Sequence, residues 1–222
     1  MERISPGSKK WQPTAWRDLL RLALPPLEAL PAGMNWALGG GTALALTLAH
    51  RVSFDIDVFF TDSRALRLLS PNRNPLVRFR VARTFSDEPA IRYNFEGRTI
   101  MVETPFEILA KKIHYRGSRF TVRDIFDTAM ISLSAPEVLP ALVDEMPQAV
   151  TRTLDRMAAI KAVYADTIRQ DVNPTETGSA YLDAGYDIAA AALGKALAGP
   201  MRQLQAPTGR DRKVTAAMRL VY

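Results

Sequence analysis

Alternation of apolar and polar residues predicts β-structure in four stretches of the first half of the chain: 34–38, 54–60, 76–84 and a hairpin over 91–102. Helical spacing of apolar residues predicts helices over 11–24, 43–49, 63–69, 104–116, 121–133, 148–171 and 181–198. Pro25-Pro26 is expected to end the first helix, and Pro71-Asn72 the third. The pattern predicts an α+β core over residues 1–133, a mixed sheet flanked by helices, and a helical C-terminal domain over 134–222.

A glycine-rich turn, Gly39-Gly40-Gly41-Thr42, separates the first predicted strand from a short apolar helix. Glycine adopts positive φ and lets a ligand approach the backbone closely. Thr42 is a candidate N-cap, and the free amides at such a helix start bind anions such as phosphate. Because no Gly-Lys-Ser/Thr follows, the turn is not a P-loop. The pattern predicts a phosphate-binding turn of another type.

Two carboxylates lie on the next strand, Phe54–Phe60, where Asp55 and Asp57 share one face and the apolar residues share the other. Their Cα atoms are about 7 Å apart. Both can therefore reach one Mg²⁺ ion whose shell substrate phosphates complete. The alternative interpretation is a strand with a solvated face. Since Asp is disfavoured in strands, two of them beside a glycine turn favour a phosphate and metal site.

Two later helices carry further charged residues. On the helix over 104–116, Lys112 flanks the apolar stripe, whereas Lys111 is expected nearer the solvent side. On the helix over 121–133, Asp124 and Asp127 are surface neighbours, and Arg123 is spaced to pair with Asp127. Acids in a first helical turn are common because they interact favourably with the helix dipole. By itself, Arg-Asp-x-x-Asp is therefore interpreted as structural.

Two sets of motifs resemble the AbiEii/AbiGii family of nucleotidyltransferase toxins, the toxins of type IV toxin–antitoxin systems. The first set is Gly40-Gly41-Thr42 with Ser53-Phe54-Asp55-Ile56-Asp57; the second is Glu107-Ile108-Leu109-Ala110-Lys111-Lys112 with Arg123-Asp124-Ile125-Phe126-Asp127. Together they extend from about residue 39 to residue 133. The resemblance implies a polymerase-β-like nucleotidyltransferase fold that uses Mg²⁺ and a nucleoside triphosphate (NTP).

The resemblance also implies the roles of individual residues. Asp55 and Asp57 would hold Mg²⁺. Lys112 and one aspartate, either Asp124 or Asp127, would complete the catalytic site; the sequence does not decide between these two aspartates. The residues implied in nucleotide binding are Gly40, Gly41, Thr42, Ser53 and Arg123. The implied reaction adds a nucleotide to RNA, in particular the 3′ end of a tRNA, and a cognate antitoxin protein is the implied partner.

The sequence departs from the family pattern in one respect. Such enzymes carry a third carboxylate on a strand after the acid pair, but no acid occurs between Asp62 and Asp87. The region 74–83 is also short, as though a strand were missing. Either Asp124 or Asp127 serves instead, or the site is weaker than in its relatives, or the fold is inactive and acts as a binding module. Separately, transfer to a protein hydroxyl or to a small molecule stays open beside RNA.

Composition excludes several classes of site. The 222 residues include no cysteine and only two histidines, which excludes disulfides and argues against a designed zinc site. No apolar run approaches the ~20 residues of a membrane span. The first ten residues lack the apolar segment of a signal peptide. These features predict a cytoplasmic protein without membrane contact.

Positive charge is concentrated in one segment. The net charge is +6, and the stretch from Ser63 to Ser86 contains six arginines and no acid. Such a segment suits contacts with the phosphates of RNA, although a solvated basic surface has the same composition. The basic tail over 201–222 is interpreted as a helix that contacts RNA or a partner, or as a frayed end.

Overall fold

The computed structural model describes residues 15–69, 77–199 and 214–221, with the backbone alone for residues 15, 77–81 and 214–221. The helices are α1 (Ala15–Glu28), α2 (Gly40–Leu48), α3 (Ala65–Leu68), α4 (Pro105–Arg116), α5 (Val122–Ser134), α6 (Val138–Glu145), α7 (Pro147–Asp171), α8 (Glu176–Ser179) and α9 (Gly185–Ala198). The strands are β1 (Trp36–Gly39), β2 (Asp55–Phe60), β3 (Val77–Arg83), β4 (Ala90–Phe95), β5 (Arg98–Glu103) and β6 (Val214–Val221). The predicted α+β class is confirmed. In the described ranges, no single helix has both the length and the apolarity of a membrane span.

The six strands of the described chain form one mixed sheet in the order β3-β6-β2-β1-β5-β4. β1 and β5 run parallel, and the other neighbouring pairs are antiparallel. The predicted hairpin is β4–β5; its turn residues Glu96 and Gly97 have φ of 52° and 82°. Two consecutive positive φ values are typical of the type I′ turn that suits a two-residue hairpin.

The C-terminal strand β6 corrects the prediction for the tail. Residues 214–221 form a strand, not a helix, and this strand lies between β2 and β3. The rest of the predicted tail, residues 201–213, lies outside the described residues.

Helix α1 continues through Pro25 and Pro26, where it was predicted to end. Both prolines are on the exposed side, while Leu24 and Leu27 are each only 2% exposed. Because burying both leucines requires helical geometry across the proline pair, packing outweighs the two lost backbone donors. The predicted helix start at residues 11–14 and the predicted Pro71-Asn72 stop lie outside the described residues.

The chain divides into two compact units. The sheet unit comprises residues 1–47, 52–107 and 212–222, and the helical unit comprises residues 48–51 and 108–211. This division differs from the predicted boundary at residue 133, because α5 packs against α7 and α9 and so belongs with the helices. The sheet unit carries the glycine turn and the acid pair, and the helical unit carries Lys112, Asp124 and Asp127.

Candidate active site

The acid pair of β2 has the predicted arrangement. Burial alternates along the strand: Ile56, Val58 and Phe60 are fully buried, whereas Asp55 and Asp57 are half-buried on the other face. The three apolar residues anchor the strand in the core of the sheet unit. Both carboxylates are therefore held by one rigid strand on a face that a ligand can reach. We call this face of the sheet the acid face.

The glycine turn lies directly beside Asp57. Gly39 is the register partner of Asp57, and Gly40 follows with a φ of +64°. A β-carbon on Gly40 would overlap the Asp57 carboxylate, so this position needs glycine for both space and conformation. Helix α2 begins at Gly40, so the first-turn amides include those of Gly41 and Thr42. Such amides lack partners within the helix and form an anion-binding site.

The hydroxyls of Thr42 and Ser53 connect this turn to the acid strand. Thr42 was predicted as an N-cap, but it lies inside the first turn of α2 and is 1% exposed. Its hydroxyl donates to the backbone carbonyl of Asp55 and lies 2.7 Å from the Ser53 hydroxyl oxygen. The N-cap prediction is therefore wrong. Both hydroxyls position the start of β2 relative to the turn.

A third carboxylate on the sheet was missed by the sequence analysis. Glu103 ends β5, is 2% exposed, and lies so close to Gly39 that a β-carbon there would overlap its carboxylate. Gly39 is in turn opposite Asp57. Glu103 follows Asp87 and so lies beyond the region in which a third acid was expected. The alternation of Ile100 and Val102 signalled the strand, but only its parallel pairing with β1 brings Glu103 to the glycine turn.

Lys112 lies in a buried part of the helical unit. All six residues from Ile108 to Ile113 are buried, so α4 has no solvent side in this stretch. Lys112 is 6% exposed, and Lys111 is 7% exposed, which corrects the expectation that Lys111 faces solvent. Amphipathic spacing therefore overestimated the exposure of Lys111.

Asp124 and Asp127 both accept hydrogen bonds from the Lys112 ammonium. The Nζ–Oδ1 distance to Asp124 is 2.8 Å, and Nζ also donates to Oδ2 of Asp127. Asp124 forms a capping box with Thr121 and accepts a hydrogen bond from Arg116 at 2.7 Å. Burial alone would raise both carboxyl pKa values, but the neighbouring cations outweigh it. They lower the pKa of Asp124 and hold that of Asp127 well below its usual range.

Two further residues of this cluster were missed by the sequence analysis. Arg51 donates to Asp127 through Nε at 2.6 Å and Nη2 at 3.0 Å, and Nε2 of His50 lies 2.8 Å from Asp127 Oδ1. Their only sequence signal was two basic residues shortly before the Ser53 motif.

Arg123 does not pair with Asp127 as expected; its guanidinium donates to the carbonyl of Asp171 at 2.9 and 3.2 Å.

His50 makes stability depend on pH. Burial lowers its pKa, with Asp127 opposing this shift; Nε2 must donate to Asp127, and the buried Nδ1 has no hydrogen-bond partner among the described residues. The unfolded chain therefore takes up a proton near pH 6.5 while the folded chain does not. We expect the free energy of unfolding to fall between pH 7 and pH 5, by at most about 1.4 kcal/mol per pH unit.

Urea unfolding at pH 7.5, 6.5 and 5.5 measures this effect of His50. His50→Gln should flatten the decline, whereas His114→Gln, at an exposed position on α4, should keep it. An equal slope in wild type and His50→Gln would contradict the expectation.

Comparison with known proteins identifies the glycine turn and the acid strand together. The model of the family described as "Nucleotidyl transferase AbiEii toxin, Type IV TA system" matches residues 23–93. Over these residues the chain is similar to the AbiEii family. The family description confirms the predicted enzyme class, a nucleotidyltransferase. No curated protein and no solved structure matches the chain.

The AbiEii match covers one of the two residue sets. It includes Gly40, Thr42, Ser53, Asp55 and Asp57, which the structure brings together in the sheet unit. The later set from the helical unit lies beyond the matched segment and consists of Lys112, Arg123, Asp124 and Asp127.

Proposed function

We propose that this chain, which is similar to the AbiEii family over residues 23–93, transfers a nucleoside monophosphate from an NTP to RNA, at the 3′ end of a tRNA, as a toxin restrained by an antitoxin protein. The observation that carries the proposal is the position of Asp57, opposite Gly39 and in contact range of Gly40. The two acids proposed to bind a metal ion are therefore adjacent to the turn whose amides are proposed to bind phosphates. The net charge of +6 supports a polyanionic acceptor.

The donor set of the acid face fits Mg²⁺. Asp55 and Asp57 offer carboxylate oxygens from one strand face, and the Asp57 carboxylate lies against the glycine turn because Gly40 has no β-carbon. No group of three or more His, Asp or Glu among the described residues is close enough to hold a metal ion. Mg²⁺ is usually bound by one or two carboxylates with substrate phosphates, and this is the set proposed. The ion would supply charge neutralisation on the phosphates.

The protein groups around this face have separate roles in the proposal. The first-turn amides of Gly40, Gly41 and Thr42 bind the β- and γ-phosphates. An acceptor hydroxyl oxygen bonds to the α-phosphorus, the bond from that phosphorus to the bridging oxygen breaks, and pyrophosphate leaves with the electron pair. The hydroxyl proton is released to solvent. The amides stay fixed throughout because α2 holds them in place, which avoids reorganisation during the reaction.

The predicted role of Lys112 in neutralising phosphate charge stays a prediction. Within the helical unit its ammonium is held by Asp124 and Asp127 together, so both aspartates orient it. Asp127 also bonds His50 and Arg51, which favours a structural role for this residue. We propose no nucleotide contact for Arg123, since its guanidinium is engaged at the end of α7.

Labelled transfer tests the proposal. The chain is incubated with each α-³²P-labelled NTP, tRNA and a protein extract, with and without Mg²⁺. We expect Mg²⁺-dependent label that ribonuclease removes. Label found only in protein or in small molecules would overturn the RNA acceptor and support those alternatives. Absence of any transfer would favour the inactive binding module.

A further inference from the structure

Strand β6 brings the C-terminal end of the chain beside the proposed catalytic strand. In the sheet, Arg219 is the register partner of Asp57 on one side and of Arg78 on the other. Opposite residues of antiparallel strands share a face of the sheet. Arg78 and Arg219 therefore lie on the acid face, and so does Arg80, two residues along β3 from Arg78.

The distribution of residue types supports this register. On the face opposite the acid face, three successive rows across the strands contain only apolar residues: Ile56–Leu220–Val77, Val58–Met218–Phe79 and Phe60–Ala216–Val81. A slip of one residue would move the arginines into these rows and the apolar residues out of them. The burial of Ile56, Val58 and Phe60 fixes which face is the core.

Arginines occupy directly opposite positions on β3 and β6. Like charges at opposite positions of a sheet repel each other, and neither strand contains an acid. Asp57, the register partner of Arg219, is assigned to the metal ion in the proposed function. A polyanion on the acid face would offset the repulsion between the arginines.

The position of the arginines indicates which substrate they meet. The glycine turn follows β1 on one side of β2, whereas β6 and β3 lie on the other side. With neighbouring strands about 4.8 Å apart, Arg78 is about 10 Å from Asp57 at the backbone. The arginines thus occupy separate positions on the side away from the proposed triphosphate site, which suits a chain of phosphates.

We propose that Arg78, Arg80 and Arg219 form an arginine row that binds the phosphate backbone of the RNA acceptor. The proposal rests on the proposed function for its catalytic context. It makes β6 a part of the substrate site and separates these three residues from other arginines of the basic segment. Arg64, for example, bonds Asp62, and Arg83 is at a register position on the other face of β3.

Binding of RNA by the full chain without NTP tests the row directly. Fluorescence anisotropy with a labelled tRNA is compared for wild type, Arg219→Gln, Arg78→Gln/Arg80→Gln and the triple variant. We expect each arginine that is removed to weaken the affinity for tRNA about tenfold. In the triple variant the slope of log K against log salt, which is negative, should become less steep by about 2. Arg67→Gln, which removes an exposed arginine of α3, should bind as wild type.

The variants also distinguish binding of RNA phosphates from binding of NTP phosphates. We expect the triple variant to keep the wild-type KM for NTP. A raised KM for NTP with unchanged tRNA affinity would overturn the arginine row as an RNA site. Equal losses in Arg67→Gln would overturn it too. Arg219→Lys should retain most of the binding and serves if a Gln variant fails to fold. Transfer of label only to protein would contradict the proposed function. The tRNA affinities of the variants would still show separately whether the arginine row binds RNA.

Discussion

Asp57→Asn is expected to lower the rate of nucleotidyl transfer by about a thousandfold while leaving the fold intact. The substitution keeps the size of the side chain and removes its charge. The carboxamide can take the place of the carboxylate beside Gly40, but it cannot balance the charge of a divalent cation. Because Asp57 is only half-buried, the melting temperature should stay within a few degrees of wild type.

Transfer of α-³²P label under saturating NTP measures the effect. Asp62→Asn is the matched control, since Asp62 follows the same strand but pairs with Arg64 and has no proposed role. Asp55→Asn should resemble Asp57→Asn. A wild-type rate of transfer by Asp57→Asn would contradict the proposal that the reaction takes place on the acid face.

Local patterns predicted the elements that surround this site. Period-two alternation predicted β2 and its two faces, and the Glu96-Gly97 pair predicted the hairpin turn. The capping box of Thr121 and Asp124 likewise joins two residues that are three positions apart. In each case the physical cause acts within a few residues, so a single sequence contains the whole signal.

Long-range pairing could not be predicted in the same way. The strand β6 reads Val-Thr-Ala-Ala-Met-Arg-Leu-Val, and its central alanines fit a helix as well as a strand. Its partner β2 is more than 150 residues earlier in the chain. Likewise, Arg51 lies 76 residues from Asp127, and nothing near Arg51 indicates a buried carboxylate. Such contacts depend on the folded topology.

The buried cluster around Asp127 is where the largest loss of stability is expected. Asp127→Asn should reduce the free energy of unfolding by about 3–5 kcal/mol. The reason is that Lys112 and Arg51, 6% and 5% exposed, would keep their charges in the interior without this carboxylate. Thermal and urea unfolding at pH 7 measure the loss. Asp187→Asn is the matched control, because this aspartate pairs with Lys161 at 3.8 Å with 79% of its side chain exposed.

The pH dependence of this loss distinguishes a lost charge from lost packing. Because the folded pKa of Asp127 is held well below its usual range, its stabilisation is present above the unfolded value of about 3.9 and is lost as pH falls through the folded value. The gap between wild type and Asp127→Asn should therefore narrow below about pH 4. Arg51→Met should cost less in the Asp127→Asn background than in wild type, since the two residues share one interaction. Additive losses and a gap that is independent of pH would show that Asp127 stabilises the helical unit through packing alone.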